Sequence, residues 1–124
     1  MKTTAYSLLV FLFFLVSCKP NQVLVKFKND SPEEFTSLYV EILGKEFTFK
    51  NLEAGESTHF IKVDKTFSYC FARATTNIDT VMFLPIDYVG ERLYTTGKII
   101  MKLTLVSEEG RYRSLNIGFK RRLF

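Results

Sequence analysis

A chain of 124 residues is long enough for one domain with a packed core. Nearly half of its residues are hydrophobic and 13 are phenylalanine, a composition that excludes an intrinsically disordered chain. The formal net charge is only +4, an excess too small to indicate a nucleic-acid partner.

The first 17 residues have the organisation of a bacterial signal peptide. A short start with one basic residue, Lys2, is followed by nine consecutive apolar residues from Leu8 to Val16. A membrane-spanning helix needs about 20 apolar residues, whereas the apolar part of a signal peptide needs about 7 to 15. The length of the run therefore predicts export rather than a permanent membrane-spanning anchor.

The end of this run resembles the lipobox of bacterial lipoproteins. Leu15-Val16-Ser17-Cys18 has an aliphatic residue, a branched one and a small one ahead of the cysteine. The resemblance implies that Cys18 receives a diacylglycerol thioether, that the chain is then cleaved between Ser17 and Cys18, and that the new amino group is acylated. Two or more acyl chains hold a protein lastingly, at ~0.8 kcal/mol per buried CH₂. The alternative is an apolar first strand with Cys18 in the core.

This interpretation sets the domain boundaries and the location. Residues 1–17 are the signal peptide, residues 18–21 are the lipidated cysteine with a short tether, and residues 22–124 are the folded domain. Lys19 stands where an aspartate would resemble the signal for retention in the inner membrane, which favours the outer membrane. An acidic stretch that sends some lipoproteins to the cell surface is missing after Cys18, which favours the periplasmic face.

From residue 22 onward the sequence predicts strands and no sustained helical period. Short runs rich in Val, Ile, Thr, Phe and Tyr alternate with turn formers. The runs lie at residues 23–28, 38–42, 47–49, 58–63, 66–74, 81–84, 98–105 and 115–119. Strands at this spacing predict an all-β domain, a single antiparallel β-sandwich of about 7–8 strands, immunoglobulin-like or transthyretin-like in architecture.

Two short motifs resemble small uncharacterised lipoproteins of bacteroidetes. The first is Asn-Leu-Glu-Ala-Gly-Glu-Ser at residues 51–57, ahead of an aromatic segment that contains Tyr69. The second is Pro-Ile-Asp-Tyr-Val-Gly-Glu at residues 85–91, which leads through Gly97 into the last hairpin. The order of the segments is similar over residues 22–119, whereas the residue types match only in these two motifs. The resemblance implies a lipid anchor and a β domain but no catalytic residues.

The reactive side chains favour a structural interpretation. His59 is the only histidine, and a catalytic relay would need it beside Cys70 or a serine, without a glycine-rich nucleophile turn in the sequence. Cys70 lies in an aromatic run and is expected to be buried and unreactive. Carboxylates at Asp79, Asp87 and Glu91 match no EF-hand spacing. The sequence therefore predicts no enzyme, no cofactor and no metal site.

The loop from Pro85 to Gly97 is the best binding candidate. About a dozen residues are more than a hairpin needs, and loops of that length often carry function. Asp87 lies in this loop with Tyr88, Arg92 and Tyr94, residue types that anchor interfaces. The alternative is a connection whose tyrosines fill the end of the sandwich.

Two further positions are candidates for modification and for membrane contact. Asp79-Thr80-Val81 resembles the acceptor of a bacteroidete O-glycosylation system, which makes Thr80 a candidate site. At the C-terminus, Lys120, Arg121 and Arg122 form a basic tail. If eight strands alternate in direction, this tail ends where the first strand begins at Val23, five residues after Cys18, and would face lipid headgroups. The alternative is a frayed, solvated terminus.

These expectations favour a small non-enzymatic binding or accessory domain, held at the membrane by its lipid and contacting a protein or glycan of the envelope. Two alternatives stay open. A structural or adhesin-like subunit of an envelope assembly would expose apolar edge strands that pair with another chain. An envelope enzyme or enzyme inhibitor would have a deep pocket lined by His59 and carboxylates.

Overall fold

A computed structural model describes residues 22–86, 88, 90–107 and 112–122, and this part of the chain folds into eight strands without a helix. The predicted all-β sandwich is confirmed. The strands are β1 (Val23–Asn29), β2 (Phe35–Ile42), β3 (Lys45–Leu52), β4 (Ile61–Val63), β5 (Phe71–Thr75), β6 (Thr80–Phe83), β7 (Gly97–Val106) and β8 (Ser114–Arg122). None of these described residues belongs to a helix long and apolar enough to span a membrane. The predicted signal peptide and Cys18 lie outside the described residues.

The strands form two sheets of four. One has the order β4-β1-β7-β8 and is called the β1 sheet; the other has the order β3-β2-β5-β6 and is called the β2 sheet. Five of the six strand pairings are antiparallel, and β1 pairs with β7 in parallel. Immunoglobulin domains order their strands ABED and CFG. The observed order is different, which leaves the transthyretin-like alternative.

The core lies between the inner faces of the two sheets. β1 and β7 alternate buried and half-buried side chains, as a strand with one face on the core must. Large fully buried side chains come from both sheets: Phe27, Ile99, Met101 and Leu103 from the β1 sheet, and Phe35, Leu38 and Val40 from the β2 sheet.

The run at residues 66–74 does not form the single central strand that its composition predicts. Only β5 is a strand, and within residues 66–70 the backbone of Thr66 alone forms a bridge, to Tyr94. The segment carries the chain from β4 at the edge of one sheet to β5 inside the other. Its aromatic residues pack at the end of the sandwich, where Phe67 and Tyr69 both stack on Tyr88. Cys70 and Ala72 still point into the core, as expected.

The two ends of the folded domain lie together at one end of the β1 sheet. Val23 is paired with Gly97, and the next residue of β7, Lys98, is paired with Arg122. Neighbouring strands are separated by ~4.8 Å, so the start of β1 and the end of β8 are about 10 Å apart. The geometry on which the membrane-contact prediction for the tail depends is therefore present.

Candidate functional site

The outer face of the β2 sheet carries an aromatic and apolar patch among polar side chains. Tyr39 on β2 is opposite Arg73 on β5, which in turn is opposite Met82 on β6. The Arg73 guanidinium lies 4.8 Å from the centre of the Tyr39 ring, and Phe71 meets the same ring edge-on at 5.9 Å. Met82 is 43% exposed and Leu84, just beyond β6, is 61% exposed. Apolar side chains on a solvent-facing sheet surface suit a binding face.

One end of this face opens into a groove of about 310 Å³. Its lining combines one carboxylate with apolar side chains from three segments: Glu41, Leu43, Gly44, Phe71, Leu84, Pro85 and Tyr88. Two-residue hairpin turns favour positive φ at both central residues, which is the conformation at Leu43 (φ 46°) and Gly44 (φ 87°). Positive φ is strained for a leucine and comfortable for a glycine. The turn nevertheless presents Leu43, 46% exposed, at the rim of the groove.

Tyr88 lies between two other rings. Its ring stacks on Phe67 at 4.3 Å and on Tyr69 at 5.4 Å, and Tyr69 meets Phe83 edge-on at 5.6 Å. Desolvation at this position raises the pKa of the Tyr88 hydroxyl. The stack fixes the Tyr88 ring on the groove wall. Among the predicted loop residues, Tyr88 is therefore the one that the structure brings to the groove, while Asp87 lies outside the described residues.

Arg92 and Tyr94 are directed to a different place. The backbone of Tyr94 exchanges hydrogen bonds of 2.8 and 3.0 Å with Thr66, and its ring packs 5.1 Å from Phe119. The guanidinium groups of Arg92 and Arg121 lie 5.0 and 4.9 Å from the centre of the Tyr94 ring. The loop residues predicted as one binding site therefore divide between the groove and the C-terminal strand.

The side chains of the predicted basic tail also point to different surfaces. Lys120 and Arg122 are exposed and point outward from β8, opposite Ile100 and Lys98. Arg121 is opposite the fully buried Ile99, and its guanidinium donates a 3.1 Å hydrogen bond to the Thr96 carbonyl. The three residues therefore do not share one surface.

The reactive side chains singled out in the sequence do not form a relay. Cys70 is 2% exposed, with its Sγ 3.9 Å from the Met101 Sδ, and burial raises the pKa of its thiol to about 12. His59 is exposed instead, edge-on to Phe49 at 5.7 Å, on an open groove of about 370 Å³ that Glu56 also lines. Within the described ranges, no three His, Cys, Asp or Glu side chains group as metal ligands.

Asp79 has a structural partner at the far end of the sandwich. Its carboxylate accepts hydrogen bonds from Arg113 (2.9 and 2.5 Å) and from Thr76 (2.7 Å), and Arg113 also binds Glu33. The bonds from Arg113, then from Thr76, lower the pKa of the Asp79 carboxyl. This cluster joins the β1–β2 connection, the β5–β6 turn and the start of β8. Thr80, next in the chain, is exposed at the start of β6.

The sequence reasoning missed Tyr39, Phe71 and Leu84. Their proximity depends on the pairing of β2 with β5 and β6, which no local pattern encodes. Tyr39 could have been singled out from the sequence, because it is a large aromatic residue on the polar side of an alternating strand. No protein-family model, curated protein or solved structure matches this chain.

Proposed function

We propose that this chain is an envelope lipoprotein, anchored through Cys18, that acts as a small non-enzymatic binding domain. The outer face of the β2 sheet, with the groove beside Tyr88, is its ligand face. The observation that carries the assignment is the surface formed by the half-buried Tyr39 and Phe71 and the exposed Leu84, which continues into that groove. The anchor is supported by the apolar run that ends in the lipobox-like Leu15–Cys18, five residues before β1.

The groove suits a ligand that lies across the sheet. It is open rather than enclosed, and its walls combine the Phe71 and Tyr88 side chains with one carboxylate, Glu41. Aromatic rings give large contact areas with little loss of conformational freedom, and tyrosine is enriched at the centres of interfaces. A protein segment or a glycan chain presents surfaces of this kind. We therefore propose an extended partner of the envelope rather than a small enclosed metabolite.

The edge strands bear on the structural or adhesin-like alternative. β3 is an eight-residue edge strand, long enough to pair with another chain. It carries Lys45, Glu46 and Lys50, and charged side chains on an edge oppose strand addition. On the β2 sheet, this favours the outer face over the β3 edge as the contact surface. The enzymatic alternative would have to use the exposed His59 with Glu56, which line an open groove rather than a deep pocket.

The proposal is tested by photo-crosslinking in living cells. A photoreactive amino acid replaces Leu84 in the groove, and a matched control replaces the exposed Glu53, at the other end of β3. We expect one dominant adduct from position 84, whose mass identifies a protein or a glycan, and none from position 53. Phe71→Ala should abolish the adduct, while Thr48→Ala on the same sheet face should not. Equal labelling at both positions, or an adduct indifferent to Phe71→Ala, would refute the assignment.

A further inference from the structure

The charged side chains on the outer face of the β1 sheet are all basic. Its four strands contain eight Lys and Arg residues and no Asp or Glu, whereas the strands of the β2 sheet include Glu41 and Glu46. Because side chains alternate along a strand, six of the eight share the outer face of three adjoining strands: Lys26, Lys28, Lys98, Lys102, Lys120 and Arg122. Lys62 on β4 adds a seventh.

The basic face has an apolar centre. Ile100 is paired with Lys26 on one side and with Lys120 on the other, and Leu24 is paired with Lys98 and Lys62. The Lys26 Nζ lies 5.0 Å from the centre of the Phe60 ring, and the Lys98 Nζ lies 5.7 Å from it. Amines around apolar side chains match a membrane interface, where phosphates lie above acyl chains.

We propose that this face lies flat on an anionic phospholipid surface. The inference rests on the proposed lipid anchor, because Val23 begins β1 in this same sheet, five residues after Cys18. An extended chain spans at most ~3.6 Å per residue, so the anchor holds the start of β1 within about 18 Å of the bilayer. Phospholipid headgroups supply the complementary negative charge.

The flat orientation differs measurably from contact through the basic tail alone. The basic residues form rows across the sheet, and Arg122 and Lys98 lie in the row beside the anchor. Lys28 and Lys102 form a row four residues further along β1, about 13 Å from it. End-on contact would cover only the near row, whereas flat contact covers both. Each added basic residue strengthens attraction to an anionic surface roughly fivefold, which favours the flat orientation.

The test uses the full chain, produced with its signal peptide in a lipidating bacterial host and reconstituted into vesicles. A membrane-impermeant amine-acetylating reagent then reports the accessibility of each lysine by mass spectrometry. In vesicles of phosphatidylcholine mixed with phosphatidylglycerol, Lys28, Lys102 and Lys120 should be protected, and Lys45 and Lys50 on β3 should not. Protection should vanish in pure phosphatidylcholine and at high salt. Equal reactivity of Lys102 in both vesicle types would overturn the proposal.

Two further readings make the result specific. The double substitution Lys28→Gln and Lys102→Gln removes two positive charges, and each charge strengthens the attraction roughly fivefold. It should therefore lower the ratio of docked to undocked protein roughly 25-fold. The accessibility of Lys120 measures this ratio. The control pair, Lys45→Gln with Lys50→Gln, should leave it unchanged. Flotation with pure phosphatidylcholine vesicles reports the lipid anchor separately. Loss of flotation contradicts the anchor, whereas flotation without protection in anionic vesicles contradicts only the flat orientation.

Discussion

Asn29, at the end of β1, is a fully buried polar residue on which three segments converge. Its Nδ2 donates hydrogen bonds to the carbonyls of Glu33 (2.8 Å) and Leu52 (3.0 Å). Its Oδ1 accepts from the Ser31 hydroxyl (2.6 Å) and the Ser31 amide (3.2 Å). The side chain therefore ties the β1–β2 connection to the end of β3.

Truncation by Asn29→Ala should destabilise the domain by about 2–4 kcal/mol, since each of the four bonds contributes about 0.5–1.5 kcal/mol net. The loss is below the full sum because the Ser31 hydroxyl can turn to the Glu33 carbonyl, 3.0 Å away. The Leu52 carbonyl and the Ser31 amide are left without this partner. Urea unfolding of residues 22–124 measures the change, with the exposed Asn116→Ala as control, expected within about 0.5 kcal/mol.

Asn29→Asp adds a signature that depends on pH. The new carboxyl would face two carbonyl oxygens in a buried site, which raises its folded-state pKa above the unfolded value of about 3.9. The protonated form can still donate one hydrogen bond. The variant should therefore be closest to the wild type below the unfolded pKa and lose stability as pH rises toward the folded pKa. A stability of Asn29→Asp that does not change with pH would contradict this reasoning. So would a loss of stability from Asn29→Ala no larger than that from Asn116→Ala. Either result would show that water supplies the missing hydrogen bonds.

Four shorter predictions follow from the sequence and the structure. Cys18→Ser should abolish incorporation of an acyl-chain probe, and persistent label would contradict the lipid anchor. Cys70 should resist a thiol reagent in the native domain, because burial raises its pKa to about 12; rapid modification would contradict this. Gly97→Ala should lower stability by about 1–3 kcal/mol, because φ is +103° and a Cβ would lie 2.9 Å from the Arg122 carbonyl oxygen. The control Gly118→Ala should be tolerated, because a Cβ there would have no neighbour nearer than 3.8 Å. Leu43→Asn should relax the positive-φ turn, raising stability by about 0.5–1 kcal/mol in thermal unfolding, yet weaken crosslinking at the groove.

The strands that could be predicted from the sequence are those with apolar side chains on one face and polar side chains on the other. In β7, the buried Ile99, Met101 and Leu103 alternate with Lys98 and Lys102, and the period of two appears directly in the sequence. The residues at 66–70 are aromatic or small on both sides, and a pattern of that kind does not distinguish a central strand from a segment that crosses between two sheets.

The surfaces could not be predicted because they depend on which strands become neighbours. Lys26 and Lys102 belong to strands far apart in the sequence, and the parallel pairing of β1 with β7 brings their rows together. The same holds for Tyr39 and Phe71, joined by the pairing of β2 with β5. Tyr88 was predicted from loop length and residue type, and its stacking on Phe67 explains why it, unlike Tyr94, reaches the groove.

The proposed membrane contact of the β1 sheet determines the direction in which the proposed ligand face of the β2 sheet points. Stacked sheets lie about 10 Å apart, and their outer faces look in opposite directions. If the basic face of the β1 sheet lies on the bilayer, the aromatic face of the β2 sheet points away from it, toward whatever the envelope presents there. A domain attached by its end alone could rotate about its tether and present the groove in any direction. Contact through Lys28 and Lys102 removes that freedom, so neutralising the basic face should also weaken crosslinking from position 84, on the opposite sheet.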